Sequence, residues 1–135
     1  MKQTFDTDAY LYGILKNTAA ITSAITGGVY AGQRPLNSVL EDITINTIAL
    51  TQESLPQLGT SNVNIHVADQ SVTIGGAAQK MANRTRLKLI SGLVLDAIRL
   101  SKITGVGFTI ENQTMIQEAE IFQHYVNIRI NWFIH

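Results

Sequence analysis

The run from Glu120 to His135 constrains the fold more than any other part of the sequence. Its apolar side chains occupy alternate positions, with mostly polar residues between them. The apolar positions are Phe122, Val126, Ile128, Ile130, Trp132 and Ile134. Period-two alternation over a dozen residues predicts a long β-strand with one buried face and one hydrated face. Because one-sided alternation is typical of antiparallel sheets, we expect this strand to lie in the centre of one.

Other stretches also predict strands. The segment 41–51 is apolar but changes phase, which predicts either a β-bulge near Asn46 and Thr47 or burial on both faces. The segment 62–68 alternates strictly and predicts a third strand. Shorter strands are predicted at 29–31 and 107–111, the latter followed by a turn at 112–114.

Two main helices are predicted. The first begins after a cap at Asp6 or Thr7 and ends near Lys16. The second runs from Asn83 or Thr85 to about Lys102, with an apolar stripe at helical spacing. Strands and helices are segregated along the chain rather than strictly alternating, which favours an α+β fold. We expect a mostly antiparallel sheet of about four to five strands with the two helices packed on one face.

The length of 135 residues, of which 45% are apolar, suits one domain spanning residues 1–135. Two segments give no clear periodic pattern. Residues 52–61 contain Pro56 and Gly59, and residues 69–83 contain Gly75 and Gly76. Turn residues of this kind predict loops, and we expect both segments to be flexible. Residues 72–74 are compatible with a short strand, and we expect the 69–83 loop to act as a contact arm.

The sequence carries no enzyme signature. There is no cysteine, which excludes disulfides, zinc fingers and thiol catalysis. His66, His124 and His135 are scattered, and a metal site is not expected. The glycine pairs fit no phosphate-binding pattern, so no cofactor is expected. Pairs of carboxylates fall at the ends of predicted elements, where capping or hydrated roles are the expectation. They are Asp6 with Asp8, Glu41 with Asp42, and Glu118 with Glu120.

The N-terminal residues lack the apolar core of a secretion signal, and no apolar run approaches the about 20 residues of a membrane-spanning helix. The expectation is a soluble protein of the cytoplasm without a membrane partner. Only 15% of the residues are charged and the net charge is zero. A weakly charged surface of this kind favours self-association.

Basic residues are concentrated between 80 and 102. This segment has a net charge of +5, while the remainder of the chain has −5. Its six basic residues are Lys80, Arg84, Arg86, Lys88, Arg99 and Lys102. They are either an ordinary hydrated helix face or a functional surface. As a functional surface they would meet an acidic face of a neighbouring copy, or line a channel through which nucleic acid passes without base-specific contacts.

One part of the sequence resembles a known family. Leu11–Lys16, Ala19–Thr22 and Gly27–Gly32 resemble the opening helix-and-strand unit of the small tail-completion, or tail-terminator, proteins of long-tailed bacteriophages. Pro35, a strand, a long helix and a closing strand then follow in the order that the family has. Val29 is a departure, since the family often has arginine there, and residues 53–60 and 69–83 have no counterpart.

The resemblance implies an α+β subunit of a hexameric ring without a catalytic site or cofactor. Such rings cap the finished tail tube, stop its polymerisation and join the tail to the DNA-filled head. The implied partners are further copies of the chain, the tail tube protein and head–tail connector proteins. The implied location is the tail or neck of the virion, after assembly in the cytoplasm of the host bacterium.

Two alternatives remain open. A neck or head-completion adaptor, one ring nearer the capsid, would have a similar size and fold. A small-ligand-binding or enzymatic α+β domain would need a buried polar cluster under the sheet and a concave apolar pocket.

Overall fold

The computed structural model describes all residues from Met1 to His135. Three helices and seven strands form the α+β fold that the sequence predicts. The helices are α1 (Thr4–Lys16), α2 (Ala19–Thr22) and α3 (Arg84–Leu100). The strands are β1 (Val29–Ala31), β2 (Asp42–Leu50), β3 (Gln57–Ala68), β4 (Gln70–Ile74), β5 (Ala77–Met81), β6 (Val106–Glu118) and β7 (Gln123–Ile134). A short 3₁₀ turn, Ala119–Ile121, joins β6 to β7.

Five strands form the main sheet in the order β1-β2-β3-β7-β6. Only β1 and β2 are parallel, and the other pairs are antiparallel. Strand β7 lies between β3 and β6, so the prediction of a central closing strand is confirmed. Strands β4 and β5 form a separate two-stranded hairpin. None of the helices is long and apolar enough to cross a membrane.

The core lies on one side of the main sheet. Ile128, Ile130 and Trp132 of β7 are almost completely buried, as are Leu11 of α1 and Ile90 of α3. Each fully buried side chain of this kind contributes about 1.5–3 kcal/mol of hydrophobic free energy. Helix α1 packs mainly on β2, α3 packs on β3 and β7, and the two helices also contact each other. The opposite face of the sheet is not covered by a helix.

The loop predicted at 52–61 is only partly a loop, because β3 already begins at Gln57. The Gln57 side chain is buried and holds three backbone groups, since it accepts from the Lys2 N–H and donates to the carbonyls of Lys2 and Thr51. These hydrogen bonds attach the start of β3 to the N-terminal segment and to the end of β2. The first five residues of β3, 57–61, are mostly polar and do not alternate, so the sequence does not predict this part of the strand.

The loop predicted at 69–83 is a hairpin. Gly75 and Gly76 have φ of 58° and 82° and form its two-residue turn, a geometry that glycine adopts without strain. The turn predicted at 112–114 is also wrong, because β6 continues to Glu118 through a bulge between Ile110 and Asn112. The bulge predicted in β2 is confirmed, between Thr47 and Ala49.

Candidate assembly surfaces

The six basic residues predicted as interface or lumen residues do not form one patch. Arg84 and Lys88 lie one turn apart on α3, are exposed and form no ion pair. They border an open groove whose other wall is formed by Gln113 and Met115 of β6. Lys80 is exposed on the hairpin strand β5.

Arg99 and Lys102 lie at the other end of α3 and beyond it. A helix rises about 1.5 Å per residue, so Arg99 is about 22 Å along the axis from Arg84. Both side chains are exposed. The basic segment therefore presents two separate positive regions, one beside the start of α3 and one beside its end.

Arg86 has an intramolecular role. Its guanidinium donates from Nε and Nη2 to the two oxygens of Glu41, at 2.8 and 2.7 Å, and from Nη2 to the Ala24 carbonyl at 2.7 Å. The bond to Glu41 raises the pKa of Arg86. Because this bidentate pair joins the start of α3 to the residue before β2, the expectation that Arg86 faces a neighbour or a lumen is not supported by its contacts.

The acidic charge of the remaining chain is not a free surface either. Most of these carboxylates contact groups of their own chain. Asp8 bonds Thr47, Glu41 bonds Arg86, Asp42 contacts Arg34, Asp69 contacts His124, Glu118 contacts His66 and Glu111 lies near Arg129. Only Glu41, Asp42 and Glu111 face an arginine, so a neighbouring copy would meet scattered acids rather than one acidic face.

The β4–β5 hairpin projects from the domain. Every residue of β5 is exposed, and in β4 only Val72 is half-buried. Each strand contacts mainly the other, and no other element packs against them extensively. An isolated two-stranded hairpin is marginally stable in water. The hairpin therefore exposes backbone groups and apolar side chains that no other element of the chain covers.

Both ends of the hairpin are anchored. The Asp69 carboxylate, 4% exposed, lies 2.6 Å from Nδ1 of His124, and the Asp69 N–H donates to the Phe122 carbonyl. On the return side Ala82 is buried, and the Asn83 side chain accepts from the Arg86 N–H as the N-cap of α3. The hairpin is thus an arm whose two ends are attached to the domain.

Strand β6 is the long open edge of the main sheet. It pairs with β7 on one side and with nothing on the other. Residues 112–117 are all exposed. The opposite edge is β1, which is only three residues long. The two edges of the sheet are therefore unequal, and only one offers a long row of free backbone groups.

A polar cluster lies on the helix-free face, under the segment 33–41. Buried Asp42 accepts from the Gly28 N–H, Arg34 and Ser38, while buried Gln123 accepts from Arg34 and donates to the Ser38 carbonyl. The small-ligand alternative needs a buried polar cluster. Here these groups bind one another, and they fasten the segment to the sheet.

His66 extends this cluster. Its Nε2 lies 3.1 Å from the Thr44 hydroxyl, and its Nδ1 lies 3.4 Å from a Glu118 oxygen. Burial, and then the positive charge of Arg34, lower the pKa of His66 against the opposing effect of Glu118. His66 is therefore neutral near pH 7, and its contact with Glu118 is not an ion pair there. No group of three His, Asp or Glu residues could hold a metal ion.

The sequence predicts residues 69–83 as a contact arm, but as a loop rather than a hairpin, and it does not predict the edge of β6 as a surface. The arm had a usable signal, since Val72-Thr73-Ile74 followed by Gly75-Gly76 is a hairpin pattern. The edge had none, because residues 112–117 are mostly polar and lack alternation. No protein-family model matches the chain, and no curated protein is significantly similar to it.

Proposed function

We propose that this chain is a structural ring subunit at the head-proximal end of a phage tail. The ring ends growth of the tail tube and joins the tail to the head. The observation that carries the proposal is the presence, on one small domain, of a projecting arm and a long open sheet edge. A ring needs two different surfaces on each subunit, one that meets the next copy and one that meets the previous copy.

The resemblance of Leu11–Lys16, Ala19–Thr22 and Gly27–Gly32 to tail-terminator proteins supplies the link to phage tails. Its partners are then the tail tube protein on one side and head–tail connector proteins on the other. The exposed basic side chains at the start of α3, Arg84 and Lys88, are assigned to an interface or to the lumen. In the lumen they would contact the phosphates of passing DNA without reading its sequence.

The first experiment is the solution mass of the purified chain, by light scattering after size exclusion, with negative-stain images of the peak. We expect a mass near six times 14.8 kDa and ring-shaped particles. Rings of another closed number would correct the stoichiometry. A closed dimer with two-fold symmetry would contradict a ring subunit.

The second experiment tests the tail directly. The chain is added to polymerising tail tube protein encoded by the same genome, and tube lengths are measured on micrographs. We expect growth to stop and the chain to be found at one tube end. Binding to portal–connector complexes with no effect on tube growth would instead identify a neck adaptor.

A further inference from the structure

We infer that the arm of one copy adds to the sheet of the next, with the free edge of β4 pairing along residues 112–117 of β6. This deepens the ring proposal and rests on its self-association, but not on the tail. The contact would be main-chain hydrogen bonding between strands, so that the five-stranded sheet continues from one subunit into the hairpin of another.

The accepting edge lacks most of the features that usually protect an edge strand. Charged residues, proline, β-bulges and covering elements are the common safeguards, and of these β6 has only a bulge at the start of the segment, between Ile110 and Asn112. The segment 112–117 contains no charge and no proline, and all six residues are exposed. Met115 and Ile116 are 43% and 36% exposed. A free edge of this length invites another strand.

Of the two strands of the arm, only β4 also lacks charged residues and proline. Strand β5 carries Lys80 and two alanines, whereas β4 has no charge, no proline and the β-branched run Val72, Thr73 and Ile74. Ile74 is 50% exposed. Lysine disfavours strand addition at an edge, and β-branched residues favour it. We therefore assign the contact to β4.

The two edges also match in size and character. Strand β4 has five residues, and the uncharged segment of β6 has six. Val72 and Ile74 lie on one face of β4, so in either strand direction they can cover Met115 or Ile116. The anchors at Asp69 and Ala82 fix both ends of the arm before it binds, which limits the entropy lost on pairing.

The main competing arrangement pairs two β6 edges symmetrically. An antiparallel β6–β6 pair centred on 112–117 places Glu111 of each copy opposite Glu118 of the other. Like charges directly opposite each other destabilise a strand pair. The arrangement also leaves the arm unpartnered, and it closes as a dimer that cannot extend into a ring.

Because the chain has no cysteine, cross-linking can test the contact cleanly. Thr73→Cys lies on β4, one residue before its end, and Thr114→Cys lies in the open segment of β6. The two single variants are mixed, treated with a short bismaleimide, and the linked peptides are identified by mass spectrometry. We expect the 73–114 link to dominate. Mixing Thr114→Cys with Asn17→Cys, which is also exposed, is the matched control.

A dominant 114–114 link would show the symmetric β6 pair, and a dominant 73–73 link would show arm-to-arm contact. Either result overturns the inference. So does a 73–114 yield no higher than that of the Asn17 control, or a wild-type chain that stays monomeric at the highest concentration that remains in solution.

A charge placed on each strand of the hairpin gives a second test. Val72 and Gln79 are cross-strand partners, so Val72→Lys and Gln79→Lys put the same charge on the same rung, on β4 and β5 respectively. We expect Val72→Lys to weaken self-association about tenfold and Gln79→Lys to change it little. Equal effects would overturn the choice of β4.

The two proposals fail separately. Rings that form without the 73–114 link would leave the ring subunit standing and remove this contact. A strong 73–114 link in a chain that does not cap tail tubes would support the contact between copies and contradict the proposed role in phage tails.

Discussion

At the scale of single residues, the core contains a directed chain of hydroxyl groups. Trp132 donates its indole N–H to the Ser61 hydroxyl at 2.7 Å. The Thr47 hydroxyl lies 2.6 Å from the Ser61 hydroxyl and 2.7 Å from a carboxylate oxygen of Asp8. Since the carboxylate only accepts, Thr47 donates to Asp8 and Ser61 donates to Thr47. The chain thus joins α1 to three strands.

Thr47→Val tests this chain, because valine has nearly the same shape but no hydroxyl. It leaves the Ser61 proton without its acceptor and Asp8 with one donor fewer. We expect the free energy of unfolding to fall by about 1–3 kcal/mol, measured by urea denaturation. Thr47→Ser keeps the hydroxyl and is the control. A valine variant as stable as the wild type would show that the hydroxyl chain contributes nothing.

His66 gives a pH dependence. Its pKa is lowered in the folded state, chiefly by burial, from 6.5 in the unfolded chain. Protonation therefore favours unfolding, so the full stability is present above pH 6.5 and declines as the pH falls toward the folded-state pKa. For one proton the slope is at most about 1.4 kcal/mol per pH unit.

The measurement compares urea denaturation of the wild type and His66→Gln between pH about 7.5 and about 5.5. We expect the stability of the wild type to decline more steeply than that of the variant. Parallel curves would show that His66 has the same pKa in both states.

At the scale of elements, α3 combines an internal and an external role. Arg86 belongs to the fold, whereas Arg84 and Lys88 face solvent without an ion pair. We expect Arg86→Ala to lower the free energy of unfolding by about 1–2 kcal/mol, a value reduced for its partial exposure. Arg84→Ala and Lys88→Ala should each change it by no more than about 0.5 kcal/mol. Chemical denaturation of the three variants decides between these roles.

A matched replacement separates charge from geometry at the same site. Arg86→Lys keeps the positive charge but cannot form the two-pronged contact with Glu41. Its stability should fall between those of the wild type and Arg86→Ala. If Arg86→Ala unfolds like the wild type while Arg84→Ala does not, the assignment of the two arginines is reversed.

The elements also show where sequence patterns inform and where they do not. Strand β7 and helix α3 each bury one face, so their periodicity predicts them directly. Strands β4 and β5 and the second half of β6 are mostly exposed on both faces, so burial imposes no pattern on them. The pairing of Arg86 with Glu41 joins residues far apart in sequence, and charge counting could not reveal it. The cluster around Asp42 was hidden for the same reason.

At the scale of the whole molecule, the +5 and −5 parts of the sequence do not become two charged faces. The basic residues divide between the two ends of α3, and Glu41 and Asp42 are already paired with arginines of the same chain. We therefore expect self-association to depend little on salt, because backbone pairing and apolar contacts are weakly screened.

Light scattering at low salt and in roughly 1 M sodium chloride, where the Debye length is about 3 Å, checks this. The assembled fraction should be nearly the same in both. Dissociation at high salt would restore the interpretation that complementary charged faces hold the copies together, and charge reversal at Arg84 and Lys88 would then become the informative variant.

The position of β7 in the sheet also has a consequence for the time course of folding. Both β3 and β6 take β7 as a neighbour, yet β7 follows both along the chain. Its pairing with β3 joins residues as distant as Gln57 and Ile134. Such long-range closure slows folding, and until it occurs β3 lacks a partner on that side, whereas β6 and β7 are joined by a short turn and can pair locally. A newly made chain is therefore most prone to mispairing just before its last strand is in place.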